Sequence, residues 1–144
     1  MPTRRFETTI DISAAPDVVW AIMSDVERWH EWTPSIRSVT VTSAGAIGLG
    51  STALVKQPKL APAHFVVTTW DPNRGFEWVT KNPAVTAVGR HVITPVPGGS
   101  RVTLGVDFSG PLAAIISWLY GRLTTRYIRM EAEGLKRRAE ARRT

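Results

Sequence analysis

After Pro111 the chain contains no further proline, and apolar residues then recur at helical steps. Leu112, Ile116, Leu119, Leu123, Tyr127 and Met130 fall three or four apart, on one face of an α-helix. Ser109-Gly110-Pro111 is a suitable opening, because proline's missing N–H has no partner in the first turn of a helix anyway. A helix over residues 111–141 would be a rod of roughly 45 Å at about 1.5 Å per residue. Its first half is apolar over most of its circumference, from Leu112 through Ile115, Ile116, Trp118, Leu119 and Tyr120. That stretch calls for a large apolar partner, and the rest of the sequence offers only a β-sheet.

The sheet is legible as alternation. Phe6, Thr8, Ile10 and Ile12 alternate with Glu7, Thr9 and Asp11 as in a half-buried strand. Pro16 and Asp17 open a short helix through Val18, Val19, Ile22 and Met23. Asp25 can cap a second one, Val26 to Trp32, closed by Pro34. Six further strands follow, starting near Ile36, Thr52, Phe65, Phe76, Val85 and Val102. They are separated by turn signals such as Asp71-Pro72-Asn73-Arg74-Gly75 and Pro97-Gly98-Gly99. Turns this short imply one antiparallel sheet, and seven strands curl strongly through their twist. The long helix should lie in the concave face, with a cavity where helix and sheet diverge.

A chain of 144 residues, 43% of them hydrophobic, is read as one domain spanning 1–144. No apolar run reaches the roughly 20 residues of a membrane span. Arg4-Arg5 leads into a strand pattern and not into an apolar signal core. Cysteine is absent, which removes thiolate metal sites and suits the reducing cytoplasm, where the protein is expected. The net charge of +6 is concentrated at the end. Arg126, Arg129, Lys136, Arg137, Arg138, Arg142 and Arg143 face Glu131, Glu133 and Glu140 there. A solvated helix end accounts for them; contact with an anionic membrane is the other use, and nucleic acid is not expected because no aromatic residue interleaves the cluster after Tyr127.

The order of elements resembles the helix-grip fold of the START-like superfamily, in its polyketide cyclase/dehydrase (SRPBCC) group. The residues that carry the resemblance are Ala15-Pro16-Asp17-Val18-Val19-Trp20, the stretch Asp25 to Pro34 with Trp29 and Trp32, Trp70-Asp71-Pro72 followed by Phe76 and Trp78, and Gly110-Pro111-Leu112. It covers nearly the whole chain. It implies an α+β fold whose curved seven-stranded antiparallel sheet grips the C-terminal helix. Members of that superfamily include hydrophobic-ligand carriers, lipid-transfer proteins, cyclases and aromatases, and they share no catalytic motif.

The residues themselves offer little chemistry. His30, His64 and His91 lack the spacing of a metal pair, so neither a metal nor another cofactor is expected. There is no Gly-x-Ser-x-Gly elbow, and Gly45, Gly48 and Gly50 lack the lysine of a phosphate loop. Strand parity supplies the rest. If Arg90 faces solvent, then Ala87, Gly89, His91 and Ile93 point inward. The same alternation turns Val55 and Gln57, Phe76, Trp78 and Thr80, and Leu104 and Val106 toward the cavity. Leu119, Leu123 and Tyr127 face it from the helix, and Trp29 and Trp32 form a lid at its mouth. Such a pocket suits a hydrophobic small molecule held by one or two hydrogen bonds. The preferred function is therefore non-catalytic binding or carriage of a lipophilic ligand. The alternatives are a cyclase- or dehydratase-type enzyme with His91 or Tyr127 as acid or base, and a module acting through its basic helix end. No Asp or Glu shares the inward parity of the strands, so His91 is expected to be neutral.

Overall fold

The computed structural model describes residues 3–142; Arg143 of the basic cluster lies outside them. The elements are β1 (Arg4–Ile12), α1 (Pro16–Met23), a single stretch of 3-10 helix (Val26–Glu31), β2 (Ser38–Val41), β3 (Thr52–Lys56), β4 (Ala63–Asp71), β5 (Gly75–Lys81), β6 (Thr86–Val96), β7 (Gly99–Ser109) and α2 (Ala113–Arg142). The strands form one antiparallel sheet in the order β1-β7-β6-β5-β4-β3-β2. From β2 to β7, each strand pairs with the next in sequence; only β1 crosses over, to pair with β7. This is the helix-grip arrangement, with α1 and the 3-10 helix bridging β1 and β2 at opposite edges of the sheet.

Local chemistry explains the element ends. Pro16 occupies the first turn of α1. The predicted second helix is 3-10 in form, and Asp25 makes no side-chain cap; its carboxylate pairs instead with Arg28 at 3.5 Å. Asn73 and Gly75 both adopt positive φ, as a tight β4–β5 turn requires. At Gly75 a Cβ would lie 2.0 Å from the His91 carbonyl oxygen, so only glycine fits.

Arg90 departs from expectation. It occupies the outer face, as parity requires, but its side chain is only 12% exposed. Its guanidinium donates two hydrogen bonds to the Asp107 carboxylate, at 2.8 and 3.1 Å, and lies 3.6 Å from Glu7. Arg5 also reaches Asp107. The guanidinium lies across Gly105, where an added Cβ would sit 2.2 Å from Nη2. The missing side chain of β7 thus lets an arginine lie flat along the sheet.

The long helix differs more. It packs on β1 and β7 and touches α1. Its buried residues are Ala113, Gly121, Tyr127, Ile128, Ala132, Gly134, Leu135 and Ala139. The expected apolar seam is not the packed face: Leu112 is 43% and Leu119 58% exposed, and Leu123 is half-buried. The predicted seam followed hydrophobicity along the helix, whereas five of the eight buried residues are glycine or alanine, which admit close approach.

Candidate functional site

Between α2 and the inner faces of β3 to β7 the fold encloses a cavity of about 320 Å³. Trp29, Val55, Gln57, Trp78, Thr80, His91, Leu104, Val106 and Tyr127 line it, all inward by strand parity or helix position. Ala63, Phe65, Ala87, Gly89 and Phe108 complete the sheet wall. From α2 come Ile116, Tyr120, Thr124, the adjacent Tyr127 and Ile128, and Glu131, which share one face of the helix. Among the lining residues Ala61 and Tyr120 are exposed, and with their half-buried neighbours Leu60 and Ile116 they mark the mouth.

Five expected residues lie elsewhere. Trp32 packs its ring against Trp29, and its carbonyl lies beneath Gly134 of α2, outside the cavity wall. Trp29 is no lid either: it is 3% exposed, and its indole N–H donates to the Met23 carbonyl at 3.0 Å, which fixes it in the interior. Phe76 stands behind His91, not beside the cavity, against Trp20 and Trp70. Ile93 belongs to the solid core. Leu119 and Leu123 sit to one side of the helical face that Tyr120 and Thr124 present to the cavity.

The inner wall is aromatic. His91 stacks on Phe76 with ring centroids 4.2 Å apart and planes 8° from parallel. Trp29 lies 5.3 Å from both His91 and Trp78. His91 Nδ1 is 3.2 Å from the Phe76 carbonyl oxygen. A carbonyl can only accept, so Nδ1 carries the proton and Nε2 is left as an acceptor. Burial pushes the imidazole pKa down to about 4, against the Phe76 hydrogen bond and with help from Arg90. His91 is therefore neutral near pH 7. Gly89 keeps room for its neighbour: a Cβ there would meet the Trp78 indole nitrogen at 2.7 Å.

The polar wall was largely unforeseen. The Glu131 carboxyl reaches the cavity from α2, and burial pushes its pKa up to about 7. Its hydrogen bond is to the Ser35 hydroxyl, 3.4 Å away, which opposes the shift only weakly. Thr33 Oγ1 lies 2.7 Å from Ser35 Oγ, and Gln57 Nε2 donates to the Ser35 carbonyl at 3.3 Å. The cavity thus contains a carboxyl group after all, supplied by the helix and not by a strand. Its position four residues beyond Tyr127 was the available signal; grouping Glu131 with the charged tail concealed it. Tyr127 donates its hydroxyl to the Pro58 carbonyl, tying the helix to the β3–β4 loop. Among the described residues no group of three or more His, Cys, Asp or Glu could hold a metal ion.

Comparison with known proteins places this geometry in context. The sequence profile of the family described as polyketide cyclase / dehydrase and lipid transport matches residues 3–140. An uncharacterized protein of Mycobacterium tuberculosis strain H37Rv is 24% identical over 143 residues, covering 95% of this chain and 85% of that one. Among solved structures, Zhui aromatase/cyclase from Streptomyces sp. R1128 superposes with a TM-score of 0.75 at 16% identity, covering 98% of this chain and 96% of that one. Norcoclaurine synthase from Thalictrum flavum, in complex with dopamine and hydroxybenzaldehyde, gives 0.77 at 11% identity, covering 99% and 90%. A protein from Thermus thermophilus gives 0.73 at 19%, covering 99% and 100%. At these identities the structures share the fold.

Proposed function

The chain belongs to the polyketide cyclase/dehydrase and lipid transport family, and from that premise we propose that it binds and carries a lipophilic small molecule in the cavity between sheet and α2. One observation carries the reading: the interior holds a cavity of about 320 Å³ whose walls are mainly apolar and aromatic, with Glu131 and Gln57 of its lining both bonded to Ser35. That combination accepts a hydrophobic body and orients it by a few hydrogen bonds. His91 Nε2 offers an acceptor, and Glu131, Gln57 and Thr80 offer further polar contacts. No helix among the described residues is long and apolar enough to cross a membrane; the lack of cysteine favours the cytoplasm as the location.

Native mass spectrometry of the protein taken directly from its host tests this. The expected spectrum shows a co-purifying lipophilic adduct. Ala87→Phe, which fills the lined space, should lose that adduct while remaining folded. A wild-type protein with no adduct, and no affinity for a lipophilic fluorophore, would overturn the proposal.

A second reading, catalysis by acid–base chemistry, is favoured by one residue. With its pKa near 7, Glu131 can exchange a proton at neutral pH, whereas His91, near 4, is poorly placed to do so. The Tyr127 hydroxyl is committed to Pro58. Two proteins that share the fold, Zhui and norcoclaurine synthase, are named as enzymes. Glu131→Gln separates the readings: a bound polyketide-like compound that is still held but no longer converted would establish catalysis through this carboxyl.

A further inference from the structure

The first half of α2 turns toward solvent the side chains that a packed helix would bury. Trp118 is 83% exposed, Leu119 58%, Ile115 53%, and Leu112, just before the helix, 43%. At 100° per residue, Ile115, Trp118 and Leu119 lie on the same side of the helix as Arg122, Arg126 and Arg129. This outward face is therefore apolar for its first turns and basic for the next ones. Trp118, Arg122, Arg126 and Arg129 also border a groove against Phe6 of β1, with Glu133 as the acid at its far end. No salt bridge among the described residues engages Arg122, Arg126 or Arg129. The same helical turns form the cavity mouth, through Ile116 and Tyr120.

We propose that this end of α2 docks on an anionic lipid bilayer, with Leu112, Ile115, Trp118 and Leu119 entering the interface, the three arginines meeting lipid phosphates, and the cavity mouth brought against the membrane. An amphipathic helix with an aromatic residue at its apolar end and arginines beside it has the chemistry of an interfacial helix. Anionic headgroups supply the opposite charge that the arginines lack within the fold. A second copy of the chain is the poorer occupant. A two-fold interface sets this patch against itself, and the groove it borders offers the arginines no acid other than Glu133. The docking does not depend on what the cavity holds. If the cavity carries a lipophilic molecule, it gives that molecule a route that avoids water.

The test is co-sedimentation of the full chain with vesicles of phosphatidylcholine and phosphatidylglycerol, compared with phosphatidylcholine alone. Wild type should partition onto the mixed vesicles and be released by salt. The Trp118→Ser, Leu119→Ser pair should abolish partitioning. The Arg122→Gln, Arg126→Gln, Arg129→Gln triple should weaken it on the order of a hundredfold. Both variants should keep the wild-type melting temperature and affinity for a lipophilic fluorophore, which separates docking from cavity binding. Wild type that stays in solution with mixed vesicles would overturn the proposal. So would unchanged partitioning of the Trp118→Ser, Leu119→Ser pair. So would light scattering that shows a dimer which this pair splits into monomers, because the patch would then belong to a second copy.

Discussion

The two halves of α2 invert what their hydropathy suggests. The apolar half, from Ile115 to Tyr120, stands largely in solvent; the basic half, from Tyr127 onward, is the one that is seated. Ile128, Ala132, Leu135 and Ala139 are all at most 4% exposed, while Trp118 is 83% exposed. The seated half succeeds through small residues and well-placed charges. Gly134 admits the Trp32 carbonyl so closely that a Cβ would lie 2.0 Å from it. Lys136 donates to the Asp11 carbonyl at 2.9 Å and to Glu140 at 2.6 Å, and Arg138 pairs with Glu31. Their aliphatic stems cover apolar surface while their charges find partners at the edge. Close backbone approach decides which half packs, and hydropathy alone does not report it.

The largest test sets one substitution against the same substitution in the other half. Leu135→Ala removes a side chain that is 1% exposed and should cost about 2–5 kcal/mol. Leu119→Ala removes one that is 58% exposed and should stay within about 0.5 kcal/mol of wild type. Chemical denaturation measures both. Equal losses would mean that the first half is seated too, and the comparison would fail.

A pH series sharpens the contrast through Glu131, which the seated half turns into the cavity. Its folded pKa is raised from 4.5 to about 7, so the folded state keeps a proton that the unfolded state has lost. Stability should fall as pH rises through that window, by on the order of 3 kcal/mol. His91 acts in the opposite sense. Its folded pKa is lowered from 6.5 to about 4, so stability should be lost as pH falls from 6.5 toward 4. In the wild type the two slopes largely cancel over their common range. Glu131→Gln should therefore show stability climbing with pH up to about 6.5, and His91→Gln should show it declining up to about 7. Denaturant midpoints across pH read this directly, and flat profiles in both variants would refute the burial of these groups.

How far the sequence foretold the molecule follows the same division. The sheet was legible because alternation and turn residues are local: parity placed His91, Trp78, Thr80 and Leu104 on the cavity side of their strands. The turn at Asp71 to Gly75 was marked by its own residues. The helix was not legible to that depth. A one-residue rotation separates the seam of Leu119 and Leu123 from the lining face of Tyr120 and Thr124, and both are periodic. The apolar seam was chosen on the rule that apolar residues face inward, a rule that does not run backwards: much apolar surface stays exposed in folded proteins. Trp29 and Trp32, three apart, looked equivalent; only the Met23 carbonyl, which captures the Trp29 indole, tells them apart. The hydrogen-bonded cluster of Ser35, Thr33 and Glu131 joins residues about a hundred positions apart, and no local pattern announces such a meeting.

A smaller effect is expected at Gly134. Gly134→Ala ordinarily favours a helix, by up to about 1 kcal/mol. Here the new methyl would meet the Trp32 carbonyl at 2.0 Å. The seated half must then lift away from the 3-10 helix, and the net loss should be about 1–3 kcal/mol. Truncating the most exposed side chain of the first half, Trp118→Ala, should leave the melting temperature in place. A stabilised Gly134→Ala protein would show that the close approach does not govern the seating.

The finest test lies where the halves meet. Tyr127 is 7% exposed, and its hydroxyl is held by the Pro58 carbonyl of the β3–β4 loop. Leu60 and Ala61 of that loop border the cavity mouth. Tyr127→Phe keeps the ring and removes one hydrogen bond. The Pro58 carbonyl belongs to a half-exposed loop residue and can turn to water, so the loss should be near the ordinary net value of about 1 kcal/mol. The local consequence should exceed the global one. Amides of residues 59–61 should exchange faster with deuterated solvent, while those of β6 and β7 stay protected. A lipophilic fluorophore should also leave the cavity faster, since the tie holds one side of the mouth. If exchange quickened equally along the seated half of α2, Tyr127 would be anchoring the whole helix, and the boundary between the two halves would have to be moved toward the first.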